Sequence, residues 1–142
     1  MAKFVKYGML CALVLVLVAG CATGTKKSDE QLVGDQMQLV KKALESKDID
    51  TLFTLVSEDF THPEVATKAE LKALAETGRD SGYADDGTCD LKKMQLTKKA
   101  DGTISAYPID LSSPAGSISV ELVFKKDKDN VWRISTGNAD GV

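Results

Sequence analysis

The residue whose surroundings most clearly indicate a chemical reaction is Cys21, which follows two small residues, Ala19 and Gly20. Small side chains before a scissile bond are typical of a signal-peptide cleavage site, especially after a positive start and an apolar run, and both are present here. The apolar run is shorter than the ~20 residues that a membrane-spanning helix needs. The sequence therefore predicts a signal peptide over residues 1–20, cleaved between Gly20 and Cys21, which leaves a thiol on the new first residue.

The tetrapeptide Val18-Ala19-Gly20-Cys21 resembles the lipobox of bacterial lipoproteins. The resemblance implies a thioether-linked lipid on Cys21 and acylation of its new amino group. Two or three acyl chains hold a protein stably on a membrane, so the predicted location is the cell envelope. Because Ala22 rather than Asp follows the cysteine, a Gram-negative host would imply the outer membrane, facing the periplasm. The alternative is an ordinary signal peptide with a chance cysteine.

A second set of residues could support acid–base chemistry, but no motif joins them. An isomerase needs a carboxylate base and a phenol or neutral acid beside it in an apolar site. Asp59 and His62 are the candidate catalytic groups, with Asp90 and Asp110 as further carboxylates. His62 is more simply interpreted as a surface residue beside a proline. The aromatic residues that could line a pocket are Phe60, Tyr83, Tyr107 and Trp132, although a tryptophan is more often part of a core.

Charge and cysteine content exclude several classes of function. The chain after residue 20 keeps all 21 acidic residues but loses two lysines, so its net charge changes from −3 to −5. This acidic balance argues against nucleic acid as a partner. Cys11 leaves with the signal peptide and Cys21 carries the lipid, so Cys89 has no disulfide partner and reads as a small buried residue. One histidine and one thiol make no zinc site, and we expect neither a metal nor a cofactor.

The chain that must position these residues changes its periodicity once. Residues 21–28 read as a short lipidated tether, and residues 29–138 as one domain. Helical spacing predicts helices from about 29 to 46, from Asp48 to about 56, and from Thr67 to Gly78. Strand patterns follow at 89–98 with a bulge, 104–111, 117–124 and 131–135, and Pro108 is predicted to lie at an edge or a bulge. Helices followed by antiparallel strands predict an α+β fold, with three helices packed on a curved four- to five-stranded sheet.

This order of elements resembles the nuclear-transport-factor-2-like, or cystatin-like cone, superfamily. The residues that carry the resemblance are the helix junction at 43–50, the entry to a short strand at 59–63, and the final strand at 130–134. The resemblance implies a curved sheet that wraps a helix around a conical pocket. Members include ketosteroid isomerases, polyketide cyclases, dehydratases, transport adaptors and small lipoproteins, so the fold alone assigns no function.

Three functional hypotheses follow from these observations. The first is a non-enzymatic envelope lipoprotein, held on the membrane by its lipid, that binds a small apolar ligand or an envelope protein. The second is a cone-fold isomerase or dehydratase acting on a small apolar substrate, which requires His62 or an aspartate to point into a deep pocket beside a tyrosine. The third is a structural role, with a homodimer formed through an apolar patch on the outer face of the sheet.

Overall fold

The computed structural model describes residues 26–140, which form three helices followed by five strands. The helices are α1 (Asp29–Glu45), α2 (Ile49–Thr54) and α3 (Lys68–Asp80), and the strands are β1 (Thr88–Asp90), β2 (Gln95–Lys98), β3 (Ile104–Ser113), β4 (Gly116–Lys126) and β5 (Trp132–Asp140). The predicted α+β class is confirmed. Among residues 26–140 there is no helix whose length and hydropathy would let it span a bilayer. The predicted signal peptide, the cleavage site at Gly20 and the lipidated Cys21 lie outside the described residues.

Helix α1 begins where the sequence predicts, because Ser28 caps it. The Ser28 hydroxyl accepts the Gln31 N–H at 3.2 Å, and the Ser28 N–H donates to the Gln31 side chain at 2.9 Å. This reciprocal pair satisfies two backbone donors that a helix start leaves free. One face of the helix is fully buried, and its residues are Val33, Met37, Val40 and Ala43. The 3.6-residue period of the apolar residues therefore identified the core face correctly.

Helix α3 is capped by Thr67, as predicted, but it continues past Gly78 to Asp80. The residue with left-handed backbone is Gly82, with φ of +82°, and not Gly78. The N–H of Tyr83 returns to the carbonyl of Gly78 and closes the helix end. A glycine inside a helix looks the same in sequence as one that ends it, which explains why the predicted end at Gly78 falls two residues short of Asp80.

The sheet has the strand order β1-β3-β4-β5, with β2 also paired to β3, and every ladder is antiparallel. The single bulged strand predicted over residues 89–98 is wrong, because a turn divides it into β1 and β2. Asp90 accepts the N–H of Lys92 at 2.8 Å, and the N–H of Met94 returns to Leu91 at 3.1 Å. Both short strands consequently pair with the same edge of β3.

Pro108 lies at a register shift between Ala106 and Ile109, so the predicted bulge is confirmed. The bulge has a consequence that strict alternation missed. Strict alternation from residue 104 to 111 would put Tyr107 on the same face as Ile109, but Ala106 and Ile109 are both buried, whereas Tyr107 is exposed. An extra residue in one strand moves every later side chain to the other face.

Strand β5 extends to Asp140, five residues beyond the predicted end at Ser135. Its polar second half pairs with β4 through Val123↔Thr136 to Ser119↔Asp140, so backbone pairing sustains a segment with little apolar signal. The short strand expected near residues 60–62 is absent from the described structure. Val56 makes a single parallel bridge to Ile134, and the Thr61 N–H donates to the Ser135 carbonyl at 3.1 Å.

The hydrophobic core lies between α1, α2 and the inner face of the sheet. Its largest fully buried side chains include Phe124, Met37, Ile104 and Ile109. The core residues run from Val33 to Ile134, within the segment that carries all the described helices and strands. This segment is therefore a folded unit with its own core.

Candidate functional site

A cavity of about 340 Å³ opens between α2, α3 and the inner face of β3, β4 and β5. Apolar side chains from the helices and the inner strand faces form most of its wall. They include Leu44, Phe53, Val56, Phe60, Val65, Leu71, Ala75, Ile109, Leu111, Val120, Leu122 and Ile134. The cavity has the volume of about eleven liquid water molecules, but such a lining gives water few polar partners. Its size lies at the lower end of the range for small-molecule sites.

Helix α3 covers this cavity but is weakly anchored. None of its side chains is fully buried, although Leu71 and Ala75 face the cavity and Leu74 is 59% exposed. Lys68 forms an ion pair with Glu58 at 2.6 Å, and Lys72 forms one with Asp50 at 2.8 Å. Both acidic partners are almost fully exposed, and such surface pairs contribute little stability. The helix therefore covers the cavity without being locked to the core.

His62 lies at the rim of the cavity, half-buried. The backbone N–H of Glu64 donates to His62 Nδ1 at 3.1 Å. An imidazole nitrogen that accepts a hydrogen bond carries no hydrogen, so the neutral ring carries its hydrogen on Nε2. His62 therefore presents a hydrogen-bond donor through Nε2, and not the free base that the isomerase hypothesis needs.

Asp59 does not lie with His62 at the cavity. Its carboxylate pairs with Lys125 at 2.7 Å on the exposed surface, and it is not among the cavity-lining residues. The Lys125 hydrogen bond and charge lower the pKa of Asp59. A carboxylate held ionised by a lysine is a weak base. Within residues 26–140, the two candidate catalytic groups are thus not brought together.

The four aromatic pocket candidates occupy four different environments. Phe60 is buried in the cavity wall. Tyr83 is 67% exposed and borders a separate cleft of about 240 Å³ next to the cavity. Tyr107 lies on the outer face of the sheet and donates its hydroxyl to Asp140, which raises the pKa of the phenol. Trp132 is buried, away from the cavity lining, and its indole N–H donates to Asp29 at 3.3 Å.

Glu121 is the one carboxylate residue in the cavity lining within the described part of the chain. It accepts hydrogen bonds from the Ser105 hydroxyl and, at 3.3 Å, from the Asn138 amide. The Ser105 hydrogen bond, as the largest cause, lowers the pKa of Glu121. Because Glu121 alternates with Val120 and Leu122 along β4, its carboxylate lies with Ser105 and Asn138 on the outer face of the sheet and is not a base inside the cavity.

Cys89 is buried, as the sequence suggested, and burial raises the pKa of its thiol. A raised pKa keeps the sulfur protonated and unreactive. In residues 26–140 no cluster of three or more histidine, cysteine or carboxylate side chains is placed to hold a metal ion.

Sequence reasoning missed most of the cavity wall. Leu71 and Ala75 read as ordinary core positions of α3, and Val120 and Leu122 as the inner face of β4. The alternation of apolar residues along β4 correctly indicated its inner face. The residues on that face are Ile118, Val120, Leu122 and Phe124. Residue types could not reveal that space remains between this face and α3.

Comparison with known proteins identifies the fold. No protein-family model matches this chain, and no curated protein matches its sequence. An uncharacterized protein with a cystatin-like fold from Caulobacter vibrioides is 13% identical, with a TM-score of 0.62 over 78% of this chain and 87% of that one. An NTF2-like protein of unknown function from Pseudomonas putida is 10% identical, with a TM-score of 0.62 over 82% and 88%.

A third solved structure, an NTF2-like protein from Cytophaga hutchinsonii, is 13% identical, with a TM-score of 0.57 over 82% of this chain and all of that one. At these identities the likeness shows the fold alone. The chain has the cystatin-like, NTF2-like cone fold, and the fold predicted by resemblance is confirmed.

Proposed function

We propose that this protein is a lipid-anchored envelope protein whose cone domain binds a small apolar ligand without transforming it. The observation that carries the ligand-binding part is the apolar cavity of about 340 Å³ beneath α3. A cavity with an apolar lining favours an apolar occupant over water, and engineered cavities of less than half this volume bind benzene. The weakly anchored α3 supplies a route of entry, because none of its own side chains is fully buried.

The non-enzymatic part rests on the groups around the cavity. Among the described residues, Tyr83 and Tyr107 border other clefts and do not line this cavity. Asp59 is paired with Lys125 on the surface. The Glu121 carboxylate lies on the outer face of the sheet with Ser105 and Asn138, and His62 offers a donor. Proton abstraction beside a carbonyl needs a free base next to the reacting carbon, with a donor opposite. The arrangement supplies the donor and lacks the base.

Filling the cavity tests ligand binding. The variant Ala75→Trp places a large side chain on the cavity face of α3, and Ala73→Trp places the same side chain on the exposed face of the same helix. Toluene should shift the NMR signals of the Ile109 and Leu122 methyl groups in the chain from Ala22 to Val142. We expect Ala75→Trp to weaken this binding at least about tenfold and Ala73→Trp to leave it unchanged. Absence of toluene binding in the unmodified chain would reject the proposal.

Intact mass and fractionation test the anchor. We expect the full chain to be recovered from membranes without residues 1–20 and with the added mass of a diacylglyceryl group and an acyl chain. Cys21→Ser should abolish both the lipid mass and the processing, whereas Cys89→Ser should preserve them. A Cys21→Ser protein that is still processed and membrane-bound would remove the location from the proposal but leave ligand binding intact.

The outer face of the sheet gives no support to self-association through an apolar patch. Its side chains on β3 and β4 are mainly hydroxyls and carboxylates that bond to one another. The pairs are Ser119 with Asp110 at 2.5 Å, Ser112 with Ser117 at 2.9 Å, and Ser105 with Glu121. We therefore propose a small molecule as the partner of the domain, with the membrane as the partner of its anchor.

A further inference from the structure

We infer that the cavity selects neutral apolar molecules that carry a carbonyl oxygen, which accepts a hydrogen bond from Nε2–H of His62. This inference rests on the proposed ligand-binding function and adds the chemical class of the ligand. Three observations carry it: the fixed tautomer of His62, the outward direction of the other polar side chains of the lining, and the charges around the rim.

The backbone fixes the chemical character of His62. Because the Glu64 N–H donates to Nδ1, the neutral imidazole keeps its hydrogen on Nε2, and no described residue accepts a hydrogen bond from that nitrogen. Residue His62 contributes to the cavity wall, so a polar donor borders an otherwise apolar space. A bound ligand that offers no acceptor would remove water from this donor without replacing the lost hydrogen bond.

The two other polar residues of the lining direct their side chains away from the cavity. Glu121 pairs with Asn138 across β4 and β5 and alternates with the inner-face residues Val120 and Leu122. Both side chains therefore lie on the outer face, where the Asn138 amide donates to Glu121 at 3.3 Å. The remaining lining residues of the cavity are apolar or glycine. One donor and no free acceptor is the pattern that matches a single accepting oxygen on an apolar body.

The charges around the cavity exclude a carboxylate as the ligand group that supplies the accepting oxygen. Within the described part of the chain, no lysine or arginine lines the cavity. The α3 lysines pair with Glu58 and Asp50 and border a different cleft. Glu64 and Glu70 lie close to the rim: the Glu64 N–H donates to His62, and the Glu70 carboxylate accepts the N–H of Ala66. A buried anion without a cationic partner is strongly unfavourable, so a ketone or ester fits where a fatty acid does not.

Three nine-carbon molecules test this selectivity: dibutyl ketone, nonane and nonanoate. Binding is measured by calorimetry at pH 8 with the chain from Ala22 to Val142. We expect the ketone to bind about fivefold more tightly than nonane, the value of one neutral hydrogen bond, and nonanoate to bind most weakly. His62→Phe keeps a ring at the rim without the donor, so the ketone should lose its advantage while nonane keeps its affinity within about twofold.

Tyr83→Phe is the matched control, because it removes a hydroxyl from the neighbouring cleft and should preserve the ketone preference. His62→Leu gives a second test of the same loss should the phenylalanine ring disturb the rim. A ketone preference that survives both His62 substitutions overturns the inference, as does tight binding of nonanoate. If nonane and the ketone bind equally to the unmodified chain, ligand binding stands and the role of His62 is rejected. If none of the three binds, the proposed function itself fails.

Discussion

At the scale of single residues, Ser57 shows how a buried hydroxyl connects three segments of the chain. It is 1% exposed, and its Oγ donates to Asp127 at 3.0 Å and accepts the Asp59 N–H at 3.3 Å. Asp127 in turn pairs with Arg133 at 3.1 Å. The sequence offered no sign of this role, because a serine between a helix and a loop usually faces solvent. The hydroxyl matters because it occupies a site where water cannot replace it.

We predict that Ser57→Ala lowers the free energy of unfolding by about 1 kcal/mol, because it removes a buried hydroxyl that bonds to the Asp59 N–H and to the Asp127 carboxylate. The control is Ser117→Ala on the exposed outer face of β4, where water replaces the lost bond and the change should stay within about 0.5 kcal/mol. Urea denaturation of both variants measures the difference. Equal losses would show that the Ser57 network adds nothing beyond an ordinary surface contact.

At the scale of elements, the two long-range features that mattered most were the bulge at Pro108 and the position of α3. The proline itself predicted an irregularity in β3, since it cannot donate to a ladder. The sequence did not reveal that the irregularity places Tyr107 outside and Ala106 inside. Helix α1 was predicted well because its apolar stripe is complete and its cap is strong. Helix α3 has the same kind of pattern, yet Leu74 is exposed, since no element within residues 26–140 covers that part of the helix.

We predict that α3 exchanges its amide hydrogens at least about tenfold faster than α1, because α3 has no fully buried side chain of its own, whereas α1 has four. Hydrogen-exchange mass spectrometry of peptides covering the two helices measures the ratio. Addition of a cavity ligand should slow exchange in α3 and leave α1 unchanged. Equal protection of both helices without ligand would mean that α3 is part of the cooperative core.

At the scale of the whole molecule, ion pairs link distant parts of the chain and set its response to acid. Asp29 at the start of α1 pairs with Lys126 at 3.1 Å, which lowers the pKa of Asp29. Hydrogen bonds from Lys41, Ser105 and Arg133 likewise lower the pKa values of Glu45, Glu121 and Asp129. The composition predicted an acidic domain, but it could not predict the partners of Asp29 and Glu121, because Lys126 and Ser105 come from other elements and are brought near only by folding.

We predict that stability is constant above about pH 5 and falls as the pH drops through about 4 and below. A carboxylate whose folded pKa is lowered binds fewer protons when folded than when unfolded. Its stabilisation is therefore present above the unfolded pKa and lost as the pH falls through the folded pKa. Urea midpoints between pH 3 and pH 7 measure this slope, and Glu121→Gln should reduce it. Stability that rises from pH 5 to pH 3 would contradict the assignment.

The cavity marks where prediction from this sequence stopped. Residue patterns identified the inner face of β4 and one face of each helix, and resemblance supplied the cone fold. The empty volume depends on the distance between α3 and the curved sheet, and no residue type encodes a distance. His62 was named as a candidate group, but its donor character depends on the Glu64 N–H, which only the folded loop brings to Nδ1.

Because Cys89 is buried, the reactivity of its thiol depends on local opening of the domain. Without the first 21 residues the chain holds one sulfhydryl, and it lies beneath Lys41 and Glu45, which bond to its backbone carbonyl and N–H. Because Cys89 is 1% exposed, we expect an alkylating reagent to reach its sulfur only when β1 separates from α1. The rate at which Cys89 is alkylated in a crude extract therefore measures how often these elements separate. A domain saturated with ligand should be alkylated more slowly than one without ligand.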